Sequence, residues 1–283
     1  MKTRRLPSPP SRQTLGRTAL SGGLRLVLIG DGESPHLLKW ARALAPRVQL
    51  WAISSRGFMP GWELLVPDAQ RLALNTRPEH GGGNVALLKQ LPKVGAWLSA
   101  VDADWIHAHY LTSHGSLAWA ARLGWRLRAQ IAGSAWGSDI LVTPNQSTAY
   151  RWLTRKVLKA CAVTTSDSQH MADKMRELGA GEVMVFPFGL EAMPRQRGEK
   201  EPWLFFSNRG LEPLYRPQLV LEVFARIASQ CPPARLVIAN DGSLRPWLEN
   251  DVMGRGLADK VSFVGRLDAA DQARWYDQAS WYL

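Results

Sequence analysis

Two histidines, His107 and His109, stand two positions apart where an apolar run ending at Ile106 opens into His-Ala-His-Tyr. Residues two apart in a strand point to the same side, so both rings can serve one site. An imidazole can donate a hydrogen bond or move a proton near neutral pH; the same pair can also be structural. His114 adds a third ring, but a metal site needs ligands in fixed geometry, and no metal is assigned. Asp139 follows Gly137-Ser138 beyond the next apolar run, Leu127 to Ile131. It can accept a substrate hydroxyl or cap the loop backbone. Gly30 and Gly32 follow the run Leu24 to Ile29, where a glycine turn permits close backbone approach to a ligand and a helix amino terminus favours anions. Arg209 and Arg216 flank the loop after the run Trp203 to Phe206, where guanidinium groups can grip a diphosphate.

These residues share a setting. Each follows a short apolar run and precedes a helical pattern, so each belongs at the carboxyl end of a parallel strand, where such sheets bind ligands. The first strand leads to Pro35, which opens a helix carrying Leu37, Leu38, Ala41, Leu44 and Ala45. Further strands are expected at 47–54, near 72–74, at 162–165 and at 183–186. A helix over 85–98 is expected to divide at Pro92. Ser147 opens a helix to Lys159, and Ser166 or Asp167 caps the next, which stops at Gly179. The polar stretch 192–201 reads as a linker. The alternation then restarts, with strands at 203–206, 235–239 and 261–264, a helix cap in Asn240–Ser243, and a last helix over 268–279. The expected organisation is a basic disordered tail (1–22), an amino-terminal Rossmann-like domain (23–191), the linker (192–201), and a partial second domain (202–283).

Composition bounds the function. With 283 residues, 46% hydrophobic and 21% charged, the chain is globular and long enough for two domains. The net charge of +11 favours an anionic partner. Nucleic acid is set aside, because outside the tail the positive charge reads as scattered rather than interleaved with aromatics on one face. The two cysteines, Cys161 and Cys231, have no metal spacing and are read as reduced. Of the thirteen tryptophans, Trp40, Trp97, Trp119, Trp152 and Trp247 sit in helical patterns and are assigned to packing. No window reaches the roughly 20 apolar residues of a membrane helix, which suits a cytoplasmic chain. The turn after Ile29, GDGESPH, is not GxGxxG, so a nicotinamide cofactor is not expected.

Six segments in order, WIHAHYLTSHG, GSAWGSDILVTP, VFPFGLE, SNRGLEPLYRPQLVLEVF, LVIANDGSLRPWLE and VSFVGRL, resemble the retaining glycosyltransferases of family 4, the glycosyl transferases group 1. The resemblance implies an α/β fold of the GT-B type: two Rossmann-like domains facing across a cleft, here with the second incomplete. It implies transfer of a sugar from a nucleoside-diphosphate sugar to a hydroxyl of a cell-envelope glycan or lipid-linked saccharide, with retention and without a metal or other cofactor. His109 matches the histidine near the reacting carbon, and Arg209 the basic residue that neutralises the diphosphate. Gly242 and Gly265 match positions around the base and ribose, and Gly30 and Gly32 the loop near the phosphates and acceptor. Two departures stand out. The usual lysine beyond the arginine is replaced by Leu214, with Arg216 as a substitute. The paired-glutamate motif would lie beyond Leu283, so the chain reads as truncated and impaired. The alternative is a non-catalytic remnant that binds a glycan or a protein. The basic amino-terminal half suits phosphate-bearing acceptors or peripheral contact with an anionic membrane face.

Overall fold

Val27 and Ile29 face one way from the first strand and Leu26 and Leu28 the other, and all four are buried. A strand covered on both faces reads as a continuous apolar run for this reason. The computed structural model describes residues 23–76, 85–189 and 198–283. The tail 1–22, and most of the expected linker, lie outside them. The chain divides into two compact units, Met1–Glu191 and Ala192–Leu283.

Unit 1 runs β1 (Arg25–Gly30), α1 (Pro35–Leu44), β2 (Gln49–Ser54), β3 (Arg71–Ala73), α2 (Val85–Leu88), α3 (Leu91–Val101) and β4 (Trp105–His109). It continues with α4 (Ser116–Gly124), β5 (Gln130–Ser134), α5 (Ser138–Leu141), α6 (Thr148–Ala160), β6 (Cys161–Ser166), α7 (Gln169–Glu177) and β7 (Val183–Val185). The seven strands form one parallel sheet in the order β3-β2-β1-β4-β5-β6-β7. α1, Trp62 and Val66 cover one face, and α3, α4, α6 and α7 the other. Chain order reverses between β1 and β4, so the loops after these two strands part and leave a crevice at their carboxyl ends. Their register is fixed at the opposite end. The Arg25 N–H donates to Asp104 Oδ2 at 2.8 Å, and its guanidinium bonds Asp102 and the Val101 carbonyl.

Unit 2 runs β8 (Glu201–Ser207), α8 (Pro217–Gln230), β9 (Arg235–Ala239), α9 (Arg245–Gly254), β10 (Val261–Gly265), α10 (Ala269–Gln278) and β11 (Ala279–Tyr282). Its parallel sheet has the order β10-β9-β8-β11, which places a second reversal between β8 and β11. Phe205, Leu236 and Ile238 pack with α8 and α9, while Leu204, Phe206 and Val237 pack toward Trp275 of α10.

Several local expectations change. Ser168, not Ser166 or Asp167, caps α7, accepting from Met171 N; the Ser166 hydroxyl is turned back to the Ser168 carbonyl at 2.8 Å. β5 starts at Gln130 rather than Leu127, because Arg126 has φ +52° and the chain is still turning out of α4. β8 already begins at Glu201, within the expected linker. Ser243 does not cap α9; its N–H and hydroxyl are both engaged by Glu212. Both cysteines are free thiols, and burial pushes Cys161 up to about 12. No helix among the described residues is long and apolar enough to cross a membrane.

Candidate functional site

β4 pairs with β1 through Ile29 opposite Ala108, and with β5 through His109 opposite Ser134. That register sets His107 and His109 at the carboxyl end of the central strand, beside the crevice. Both are buried, and their rings lie 4.3 Å apart with the edge of Trp40 from α1 against each. His107 Nε2 is 2.8 Å from Ser134 Oγ, which is 2.7 Å from Thr165 Oγ1, so three strands are joined by one chain of polar atoms. His114 Nδ1 donates to the His109 carbonyl at 2.7 Å. Neither ring nitrogen of His109 has a partner, although the residue is buried.

Burial disfavours the charged imidazolium. It lowers His107 and His114 to about 4. His109 is held well below its ordinary value by burial and by repulsion from the other two rings. All three are neutral at physiological pH, and a neutral imidazole offers one donor and one acceptor. Among the described residues no group of three or more His, Cys, Asp or Glu side chains could hold a metal ion.

The chain leaves β4 through Tyr110, at φ +71°, into a wide π-type turn over Leu111–Gly115. Asp139 secures it. Its Oδ2 accepts from Leu111 N at 2.8 Å, and its Oδ1 from Trp136 N and Gly137 N at 3.0 Å each. Of the two roles open to this residue, the structure displays the backbone one: the carboxylate is wholly buried and ties the β4 loop to the β5 loop. Burial pushes its carboxyl up, and the backbone N–H donors oppose that shift.

Gly30 and Gly32 form the other lip of the crevice. A Cβ on Gly30 would stand 2.9 Å from the Leu37 methyl carbons and 3.4 Å from His109 Cβ, so this glycine lets α1 and His109 close on the strand end. The Gly32 N–H donates to Ser54 Oγ and its carbonyl accepts from the buried Trp62 indole, both at 2.8 Å. An aromatic rim surrounds His109. Trp136 lies 5.8 Å from it, and His36 and Phe188 lie 5.1 and 5.3 Å from Trp136. Lys39 Nζ stands 4.6 Å above the Phe188 ring.

In unit 2, Arg209 leaves the end of β8 exposed, with its guanidinium 4.6 Å from the centre of the Tyr215 ring. Arg216 is exposed at φ +50° directly before α8. Gly242 packs against the Leu211 carbonyl, leaving no room for a Cβ. Gly265 has φ +70°, and its carbonyl accepts from Asn240 N at 2.6 Å. Both glycines therefore have a backbone reason to be where they are. Leu214, at the position where the resemblance implies lysine, is 77% exposed.

Residues 31–189, more than half of the chain, match the family model described as the glycosyl transferase 4-like domain. The chain belongs to the glycosyl transferase 4-like family. Among curated proteins no sequence matches it. Solved structures share the fold at low identity. A lipopolysaccharide outer core galactosyltransferase, WaaB, in its apo form aligns with a TM-score of 0.63 at 12% identity, covering 92% of this chain and 73% of that one. The pneumococcal O-GlcNAc transferase GtfA, solved with UDP and GlcNAc, aligns at 0.66 and 8%, covering 92% and 79%. A UDP-N-acetylglucosamine 2-epimerase from Rickettsia bellii aligns at 0.56 and 10%, covering 88% and 71%. The fold is thus the two-unit parallel α/β architecture of GT-B glycosyltransferases.

Within this glycosyl transferase 4-like chain, unit 1 gathers Gly30, Gly32 and His109 at one crevice, with Asp139 beneath the loop. Unit 2 gathers Arg209, Arg216 and Gly242 on the loops after β8 and β9, with Gly265 ending β10. Sequence reading missed the aromatic rim. His36 and Lys39 sit in what reads as an ordinary helix start, and Trp136 stood in the quoted loop motif without a role. Trp40 was read as packing, and it packs on both site histidines. Trp152 and Trp247 were also assigned to packing, but about half of each is exposed.

Proposed function

We propose that this chain transfers a sugar from a nucleoside-diphosphate sugar to a hydroxyl of a glycan or lipid-linked saccharide, with retention of configuration and without a metal or other cofactor, in the cytoplasm. The observation that carries this reading is His109. It is a neutral imidazole with both ring nitrogens unpartnered, buried at the switch point of unit 1 and backed by Gly30. A buried polar group without a partner is costly, and a sugar hydroxyl supplies one. In the reaction the bond between the anomeric carbon and the diphosphate oxygen breaks. The acceptor oxygen bonds that carbon from the same face, and its proton passes to the departing phosphate. Charge develops on the leaving diphosphate, and cations beside it stabilise it; Arg209 and Arg216, exposed on unit 2, are assigned this task.

The fold also accommodates epimerases, and the family match favours transfer. The test is a thermal-shift titration with UDP- and GDP-sugars. A ligand that binds only the native state adds about 2.7 kcal/mol at a hundredfold excess over Kd. A shift with one donor, abolished in Arg209→Ala, is the expected result, followed by label transfer to a saccharide acceptor and release of free nucleotide. No shift from a chain that melts cooperatively overturns the donor assignment and leaves a glycan- or protein-binding remnant. Isomerised donor without any acceptor overturns transfer.

A further inference from the structure

One stretch of unit 1 is strongly cationic, although Asp102 from outside it lines the same hollow as Arg126 and Arg128. From Trp105 to Ser166 the chain has seven cations: Arg122, Arg126 and Arg128 around the end of α4, and Arg151, Arg155, Lys156 and Lys159 on α6. The same stretch has one acid, Asp139. Asp139 is buried under three backbone N–H groups, so no carboxylate of these 62 residues reaches solvent. Elsewhere the helices neutralise their arginines: Arg176 pairs with Asp173, Arg226 with Glu222 and Arg255 with Asp251. Among the described residues none of the seven has such a partner.

The same surface exposes apolar side chains. On α6, Thr154, Val157 and Leu158 are buried against the sheet, and Arg151, Arg155 and Lys159 recur at four-residue spacing on the outward side. Between these cations lies Trp152, 56% exposed, with Lys156 Nζ 5.6 Å from its ring and Trp119 of α4 packed edge-on beside it. Leu123, at the end of α4, is 61% exposed. An indole and an aliphatic chain among unpaired cations match a bilayer interface, where aromatic rings sit at headgroup depth and cations meet lipid phosphates.

We propose that the α4–α6 face of unit 1 docks on an anionic lipid surface, with Trp152 and Leu123 entering the headgroup layer. A single-stranded nucleic acid needs a groove that tracks its backbone and a row of stacking rings. Here the α6 cations surround a single exposed indole, Trp152, and the other apolar chain, Leu123, is aliphatic. The inference rests on surface charge and exposure, independently of sugar transfer.

The test is co-flotation of the full chain with vesicles of phosphatidylcholine, with and without phosphatidylglycerol. Binding is expected only to the mixed vesicles. Arg151→Gln/Arg155→Gln/Lys156→Gln is expected to lose on the order of a hundredfold in partitioning, roughly fivefold per cation. Trp152→Ala is expected to lose about tenfold. A charge-matched variant of unit 2, Arg226→Gln/Arg235→Gln/Arg255→Gln, should stay within a few-fold of wild type, as should Lys2→Gln/Arg4→Gln/Arg5→Gln in the tail. Every variant is first shown to melt as wild type does. No binding to mixed vesicles, or equal loss in all three charge variants, overturns the proposal. So does an α6 variant that still binds vesicles but no longer binds oligo-dT. Donor-induced thermal shifts should not change in the α6 variant, so failure here is distinct from failure of the transferase reading.

Discussion

Acid should unfold unit 1 unusually early, because three histidines are buried in their neutral form. His107 and His114 titrate at about 4 in the fold, and burial and the two neighbouring rings hold His109 well below its ordinary value; in the unfolded chain each returns to about 6.5. A base whose folded pKa is depressed stabilises the fold fully above its unfolded value and loses that contribution as pH falls. At about pH 5 His107 and His114 each cost about 2 kcal/mol relative to pH 7.5, from the ratio of proton-binding terms in the two states, and His109 adds in the same direction. Asp139 works in the opposite sense. Burial raises its carboxyl, so its contribution is present below its unfolded value and lost as pH rises through its folded one, which offsets part of the histidine loss. His107 and His114 alone contribute a loss of roughly 4 kcal/mol, against a total of about 5–15 for a typical domain. Urea unfolding followed by tryptophan emission, at a series of pH values between these limits, measures it directly. His107→Gln and His114→Asn keep the geometry of the Ser134 and His109 hydrogen bonds without titrating, and together should remove most of the slope. Stability constant to within about 1 kcal/mol across the range, or a slope unchanged in the double variant, would refute the reasoning.

Two further outcomes follow from the loops at the crevice. Asp139→Ala should lower stability by about 2 kcal/mol, since one buried and two partly buried N–H groups lose their acceptor while one buried charge is relieved; Asp139→Asn, retaining one oxygen, should cost less, and paired urea melts compare them. Gly32→Ala should cost roughly 1–3 kcal/mol, because its Cβ would stand 2.6 Å from the Gly57 carbonyl, which is backbone. Gly124→Ala, with nothing within 4 Å of its Cβ, serves as the control and should melt at or above the wild-type temperature.

The strands and their parallel direction were legible because each strand is an apolar run followed by a polar loop, which also places the candidate residues at strand ends. The loop chemistry was not. Asp139 reads as a ligand or a cap until Leu111, 28 positions earlier, is seen donating to it. His107 and His109 could be placed on one side, but their burial depends on Trp40, which approaches from α1. Gly242 resembled a ligand-contact position, and the Leu211 carbonyl that forbids a side chain there comes from another loop. The positive charge looked scattered because Arg122 and Arg151 are far apart in the chain; packing of α4 beside α6 collects it.

The clasp at Arg25 bears on how the chain reaches this state. β1 is an interior strand of the unit 1 sheet, yet its partner β4 lies 79 positions away where Arg25 meets Asp104. Contacts of such sequence separation slow folding, since loop closure must be paid before the pairing returns anything. During synthesis β1 and β2 emerge and pair first, and the free edge of β1 then waits, apolar on both faces, until β4 is made. Arg25 places a charge at the first residue of that edge, which Asp102 and Asp104 meet when they arrive.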